Sequence, residues 1–218
     1  MPVQTEKNRL GDILYWEEEN RFSREEVTIL SGQSLSTGTV VGKITKSVPD
    51  AGTPDEGNTG DGTVTGVTGG SKTMIGTYVL ECITAGTGNG VFKVIDPDGN
   101  RLDDAKAGSA YTSSHLNFTI NVGTTDFAVG DKFTIEVTEG SNRVKQIDFS
   151  ATDGSQEAYG ILIGDYDASS GDVKGVAVVR DAVVNPDNLV WPDGATDTQK
   201  AGALKQLAAR GIVTREGA

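Results

Sequence analysis

From Arg24 onward the chain is a succession of short runs in which apolar and polar residues alternate, punctuated by Gly, Asp and Asn. Glu26-Val27-Thr28-Ile29-Leu30, the polar turn Ser31-Gly32-Gln33-Ser34 and Gly38-Thr39-Val40-Val41-Gly42-Lys43-Ile44-Thr45 together predict a hairpin-like start. Further strands are expected over 63–67, 73–84, 91–96, 116–122 and 132–138. In Phe118-Thr119-Ile120-Asn121-Val122 and Phe133-Thr134-Ile135-Glu136-Val137 the two-residue period sets an apolar face against a polar one, as in a sheet with one buried side. Alternation resumes at Val144-Lys145-Gln146-Ile147-Asp148-Phe149, and the runs at 158–167 and 173–184 read as well-buried strands. One helix is predicted, opened by Thr196 with Gln199 as a capping box, carrying Ala201, Leu204, Leu207 and Ala208 on its buried face and ended by Gly211.

Punctuation divides these elements. The stretch Pro49 to Gly62 is rich in Gly, Pro and Asp and reads as a linker, and Glu139-Gly140-Ser141-Asn142 is a second break. Residues 48–142 therefore form an inserted all-β, sandwich-like module, flanked by a split outer domain of residues 23–47 and 143–218. Residues 1–22 read as an arm. Ile13, Leu14, Tyr15, Trp16 and Phe22 are scattered among its charges, each costing about 1.5–3 kcal/mol if left in water rather than buried, so they call for a partner surface or for packing on their own domain.

Composition narrows the function classes. The formal charge of −12 argues against duplex binding, which draws its affinity from clustered Lys and Arg. The insert carries thirteen acids and five bases, so it holds most of that negative charge and is the more strongly solvated part. A single Cys, Cys82, sits in an apolar run and allows no intrachain disulfide; one Cys and one His cannot make a usual zinc site, and no metal or other cofactor is expected. The sequence offers no secretion signal and no apolar stretch long enough for a bilayer, so a soluble protein made in the cytoplasm is expected.

The motifs that superficially promise chemistry fall short. Asp96-Pro97-Asp98-Gly99-Asn100 has the spacing of a calcium loop, but Arg101 and Ala107 stand where the sharp-turn Gly and the closing carboxylate belong, leaving a type I turn. Gly86-Thr87-Gly88-Asn89-Gly90 precedes a strand pattern rather than the helix a phosphate loop requires. His115 has no nucleophile elbow to serve, and Asp103-Asp104 and Glu25-Glu26 read as solvated charge. No enzyme is expected.

The order of Phe22-Ser23-Arg24-Glu25-Glu26-Val27-Thr28, Ser31-Gly32-Gln33, Gly38 to Ile44, Ala158-Tyr159-Gly160-Ile161-Leu162, Val179-Arg180-Asp181-Ala182-Val183-Val184 and Leu189-Val190-Trp191-Pro192-Asp193-Gly194 leading into the helix resembles the head decoration proteins of tailed phages, the family typified by the small capsid-stabilising protein of phage lambda. The resemblance covers residues 10–47 and 143–216 and rests on order and spacing, since each motif alone is weak. It implies a mainly β, β-clip-like decoration domain with one C-terminal helix. It further implies a homotrimer on the outer surface of an expanded capsid, with the major capsid protein as partner and with neither nucleic acid nor membrane. The arm, with Ile13, Leu14, Tyr15, Trp16 and Phe22, would become ordered on the shell and add a strand to a capsid loop. Trp191 and Pro192 are candidates for a structural role or a trimer or capsid contact. Small members of that family lack the insert, which leaves open a displayed module binding glycans or a host surface through Tyr78, Phe92 and Tyr111.

Overall fold

The computed structural model describes residues 8–216. The chain divides into two compact units, Met1–Thr45 with Ser141–Ala218, and Lys46–Gly140. The first carries strands β1 (Leu14–Glu17), β2 (Arg24–Ile29), β3 (Gln33–Leu35) and β4 (Val40–Lys43) before the insertion. The second holds β5 (Lys46–Ser47), β6 (Ala51–Pro54), β7 (Thr63–Gly69), β8 (Gly76–Thr84), β9 (Val91–Ile95), β10 (Ala105–Lys106), β11 (Ala110–Thr112), β12 (Leu116–Asn121) and β13 (Lys132–Glu139). The first unit resumes with β14 (Val144–Gln146), β15 (Ala158–Leu162), β16 (Tyr166–Ala168), β17 (Val173–Val178), β18 (Ala182–Val184) and β19 (Ile212–Thr214). Its helices are a single turn, α1 (Leu10–Ile13), and the longer α2 (Asp197–Ala209). The protein is mainly β with one substantial helix near its C-terminus.

In the first unit β14-β2-β17-β15-β4 close into a barrel. The expected β2–β4 hairpin does not form, because β14 lies between them and pairs Val144 with Ile29 on one side and Lys43 on the other. Strands β4, β15 and β17 are apolar on both faces for a physical reason. Val41, Leu162 and Ala177 pack together with Val27 and Ile29, whereas their neighbours Val40, Ile161 and Val178 join a second core with Leu207 of α2 and Ile212 of β19. That second core also lies beneath a three-stranded sheet, β1-β18-β19, whose inward residues Ala182, Val184 and Ile212 belong to it.

Helix α2 begins as its sequence predicts. Thr196 Oγ1 accepts from Gln199 N at 3.3 Å and Gln199 Oε1 accepts from Thr196 N at 2.9 Å, which satisfies two otherwise unpaired donors. Its buried face differs from the expected one: Ala203 and Leu207 are buried and Leu204 half-buried, while Ala201 and Ala208 face solvent. Two alanines cannot dictate a helix's rotation against Leu207, which is completely enclosed.

The second unit is one continuous sheet, β10-β9-β8-β13-β6-β7-β12-β11, with β5 paired to β13, folded around a single core. Alternate residues enter that core: Tyr78, Leu80 and Cys82 from β8, Leu116, Phe118 and Ile120 from β12, and Phe133, Ile135 and Val137 from β13. The stretch read as a linker is overturned, since Ala51–Pro54 is the strand β6 that joins the two halves, pairing with β7 through Ala51 and Gly52 and with β13 through Thr53 and Pro54. It places no large side chain in the core and contributes by its backbone, which is why its composition resembles a loop. The loop that follows is held by Asp131, only 4% exposed, whose carboxylate accepts from Thr59 N, Gly60 N and Ala128 N at 2.8–3.0 Å. Burial pushes its pKa up, but these donors outweigh it and the carboxyl sits below its usual range.

Candidate functional site

The N-terminal segment is built into the first unit from residue 8 onward, so part of the expected arm packs on its own domain. Ile13 is 1% exposed and packs in the second core, and Leu14 lies half-buried against the same cluster. The Ile13 carbonyl accepts from Asn185 N at 2.8 Å, Asn8 Nδ2 donates to Asn188 O at 2.9 Å, and Asn188 Nδ2 donates to Asp12 O at 2.8 Å. At the far end of β1, Arg24 grips Glu17 with two hydrogen bonds of 2.6 and 2.7 Å. Gly38 makes room for the whole arrangement: its φ is +92°, and a Cβ there would lie 2.7 Å from Ile13 Cδ1 and 2.9 Å from Asn188 O. Residues 1–7 of the expected arm lie outside the described residues.

Two of the five predicted arm side chains therefore face inward, and the other three do not. Tyr15 is 44%, Trp16 50% and Phe22 55% exposed. A register shift between Leu14 and Trp16 along β18 breaks the alternation of β1, so Leu14 stays in and both following aromatics turn out. Trp16 is opposite Val183, and Val183 opposite Val213, which is 42% exposed; the outer face of the three-stranded sheet is thus an apolar row. Its strand β1 is an edge, with one side of its backbone unpaired within the sheet.

Phe22 follows the short turn Glu19–Arg21 that connects β1 to β2. The Arg180 guanidinium lies 5.3 Å from the Phe22 ring centroid and donates to the Phe22 carbonyl at 2.7 Å. Arg180 also pairs with Glu25, which accepts in turn from the Tyr159 hydroxyl. Arg21 and Asp181, the residues beside Phe22 and Arg180, both have positive φ, 61° and 39°, a strained backbone of the kind that persists where surrounding contacts enforce it. The Tyr159 bond, then against burial the Arg180 hydrogen bond and charge, hold the Glu25 carboxyl below its usual range, while burial and Glu25 push the Tyr159 phenol up to about 12. A phenol whose folded pKa exceeds its unfolded value stabilises the fold below pH about 10 and loses that contribution as pH rises toward 12. Ultraviolet titration should accordingly show a tyrosine ionising near 12 that disappears in Tyr159→Phe; an unchanged titration would remove this bond from the account.

Among the described residues, no three His, Cys, Asp or Glu side chains gather as a metal site, and no helix is long and apolar enough to cross a membrane. The calcium-like turn is a hydrogen-bonded one: Asp96 Oδ1 accepts from Asp98 N and Asn100 N, and Asp96 Oδ2 from Asn100 Nδ2. Nor are Tyr78 and Phe92 a displayed binding platform, being wholly buried, and Tyr111 is only 7% exposed.

The family model described as bacteriophage lambda head decoration protein D matches residues 3–212, the inserted unit included. The chain belongs to that family. Head decoration proteins are structural phage proteins and not an enzyme family. No curated protein matches the chain. Two crystal structures of Xanthomonas campestris FlgL show a slight likeness, one 15% identical over 51% of this chain and 33% of that one with a TM-score of 0.31. The other is 14% identical over 80% and 44%, with a TM-score of 0.30. The chain spans a third to under a half of those structures, and likeness at this level carries no argument.

Trp191 and Pro192, the remaining candidates, lie on a different segment from the apolar row. Trp191 is half-buried against the second core and stacks on Phe149 with ring centroids 6.5 Å apart and planes 22° from parallel. Pro192 and Phe149 border an open depression of about 390 Å³. Trp191 thus packs on its own unit, and of the predicted arm side chains Tyr15, Trp16 and Phe22 are the exposed ones.

Proposed function

We propose that this chain is a structural subunit that binds the outer surface of an expanded phage capsid as a homotrimer and cements it against internal pressure, with the major capsid protein as its partner. Membership of the head decoration family supports the decorating role. The observation that carries the contact assignment is the outward row of Trp16, half-buried Val183 and Val213, with Tyr15 and Phe22 also exposed in the same segment as Trp16, on a sheet of which β1 is an edge strand. Aromatic side chains of this kind dominate the energy of protein interfaces, and an edge strand accepts a further strand through its free backbone groups. The capsid-binding arm of the sequence reading then becomes the outer face of β1 with Phe22, and Ile13 and Leu14 serve to seat it.

A subunit that binds only the expanded lattice stabilises it by mass action, about 2.7 kcal/mol per site at a hundredfold excess over the dissociation constant. Joining three subunits raises the effective concentration of the second and third contacts once the first is made. Modest individual contacts therefore suffice. Light scattering on the full chain tests the assembly state: the expected mass is three times the 22.8 kDa of one chain, and a monomer at micromolar concentration would contradict the trimer.

A further inference from the structure

The run Gly86-Thr87-Gly88-Asn89-Gly90, which fails as a phosphate loop, forms most of the connection between β8 and β9 and holds the chain's one Asn-Gly pair. Its backbone is anchored at three points. Asn89 N donates to Gly86 O at 3.1 Å, closing a turn in which Gly88 has a φ of +66°. Gly88 N donates to Asp126 Oδ1 at 3.1 Å, and Gly90 O accepts from Ala107 N at 2.8 Å. Two groups between these anchors are left over: among the described residues no hydrogen bond engages the exposed Asn89 side-chain amide or the Gly90 N–H.

These two groups are the reacting pair of an intramolecular acyl transfer, held in adjacent residues and so at high effective concentration. Hydroxide removes the Gly90 amide proton and the nitrogen bonds to Asn89 Cγ. The Cγ–Nδ2 bond then breaks, and Nδ2 leaves as ammonia after taking a proton from water. Water adds to either carbonyl of the resulting succinimide and opens it to aspartate or isoaspartate. Other asparagines lack one half of the arrangement. Asn58, Asn100, Asn117 and Asn121 spend their amides on hydrogen bonds. The Asn142 side chain has no such bond among the described residues, but the nitrogen that follows it, of Arg143, donates to Ser141 Oγ and belongs to a residue whose side chain obstructs the attack.

We propose that Asn89 is a self-modification site, converted in the folded protein to aspartate and isoaspartate through a succinimide with Gly90. The product places a carboxylate one residue from the Gly88–Asp126 bond, in a unit that already carries thirteen acids against five bases. Isoaspartate also lengthens the main chain by one carbon just before the Gly90 carbonyl that Ala107 N holds. Conversion therefore loosens the β8–β9 connection and the pairing of β9 with β10, and leaves the first unit as it was.

Incubation of the full-length chain at neutral and mildly alkaline pH tests the site, with peptide mapping by mass spectrometry as the readout and enzymatic methylation to identify isoaspartate. The expected result is a mixture of aspartate and isoaspartate at residue 89, formed faster than at any other asparagine and in proportion to hydroxide. Because both groups are unheld, the rate in the folded chain should lie within about tenfold of that in a free peptide spanning residues 85–93. Gly90→Ala should slow conversion by at least about tenfold, since its methyl hinders the nitrogen. A Cβ there lies 3.3 Å from Phe92 Cε2 and 3.5 Å from Phe127 Cδ2, so Asn89→Gln, at an exposed position, is the variant that keeps the fold and should abolish conversion. Hydrogen exchange of the aged parent should show lost protection at Ala107, and the aged Asn89→Gln chain should not. Protection of Asn89 well beyond tenfold relative to the peptide, aspartate formed without isoaspartate, or an unchanged rate in Gly90→Ala would overturn the proposal.

Discussion

Replacing Ile13 with alanine is expected to lower the unfolding free energy of the first unit by about 2–5 kcal/mol, the range for removing a fully enclosed aliphatic side chain and leaving a cavity. The side chain is 1% exposed and packs in one cluster with Val184, Leu189, Leu207 and Ile212, so little can collapse into the space it leaves. Only three residues on, Trp16→Ser removes a side chain that is 50% exposed and should change stability by less than about 1 kcal/mol. Urea unfolding followed by tryptophan fluorescence is the suitable measurement, because Trp16 and Trp191 both lie in this unit and are the chain's two tryptophans. Equal effects of the two substitutions would contradict the division of the segment into an inward and an outward set.

The second large effect is expected in the insert. Phe92→Ala should destabilise that unit by about 3–5 kcal/mol. Phe92 is completely buried where three rings meet, edge-on to Phe127 at 5.0 Å and tilted against Phe133 at 6.0 Å, and such contacts add to the area lost from water. Hydrogen exchange provides the readout: amides of β8, β9 and β13 should lose protection, since these strands are paired neighbours that share the core around Phe92. A loss below about 1 kcal/mol would mean that the ring cluster is not what holds the folded sheet together.

The elements most legible in the sequence were those whose side chains report their own burial. The alternation in β12 and β13, the buried position of Cys82 and the Thr196–Gln199 cap all follow from residue type at the spacing that the element dictates. Other features depend on partners far along the chain. The strand that separates β2 from β4 begins at Val144, about a hundred residues after β4; its alternation announces a strand, but no local pattern announces its place between those two. Strand β6 is written in Gly, Thr and Pro because its contribution is backbone pairing, which hydrophobicity does not record.

The candidate site was legible in its residues and not in their directions. Ile13, Leu14, Tyr15, Trp16 and Phe22 all drew notice as large apolar groups in a charged segment. Which of them faces the core is decided by the single turn of α1 and by the register shift before Trp16, and neither has a sequence signature at this length. Removing residues 1–22 would consequently delete Ile13 from the core together with the proposed contact, so point substitutions at the outer face are the cleaner probe. The apolar row itself could be found from sequence only with the pairing of β1, β18 and β19 in hand, because Val183 and Val213 are ordinary strand residues until the sheet aligns them with Trp16.

The decisive measurement is co-sedimentation of the purified full-length chain with empty expanded capsids of its cognate phage, beside a Tyr15→Ser/Trp16→Ser variant shown to keep the parent's stability. The account predicts saturable binding by the parent and a loss of at least about thirtyfold in the variant, corresponding to about 2 kcal/mol for a buried aromatic anchor. Failure of the parent to sediment with the expanded shell would contradict capsid decoration, and undiminished binding by the variant would contradict the outer face of β1 as its contact surface.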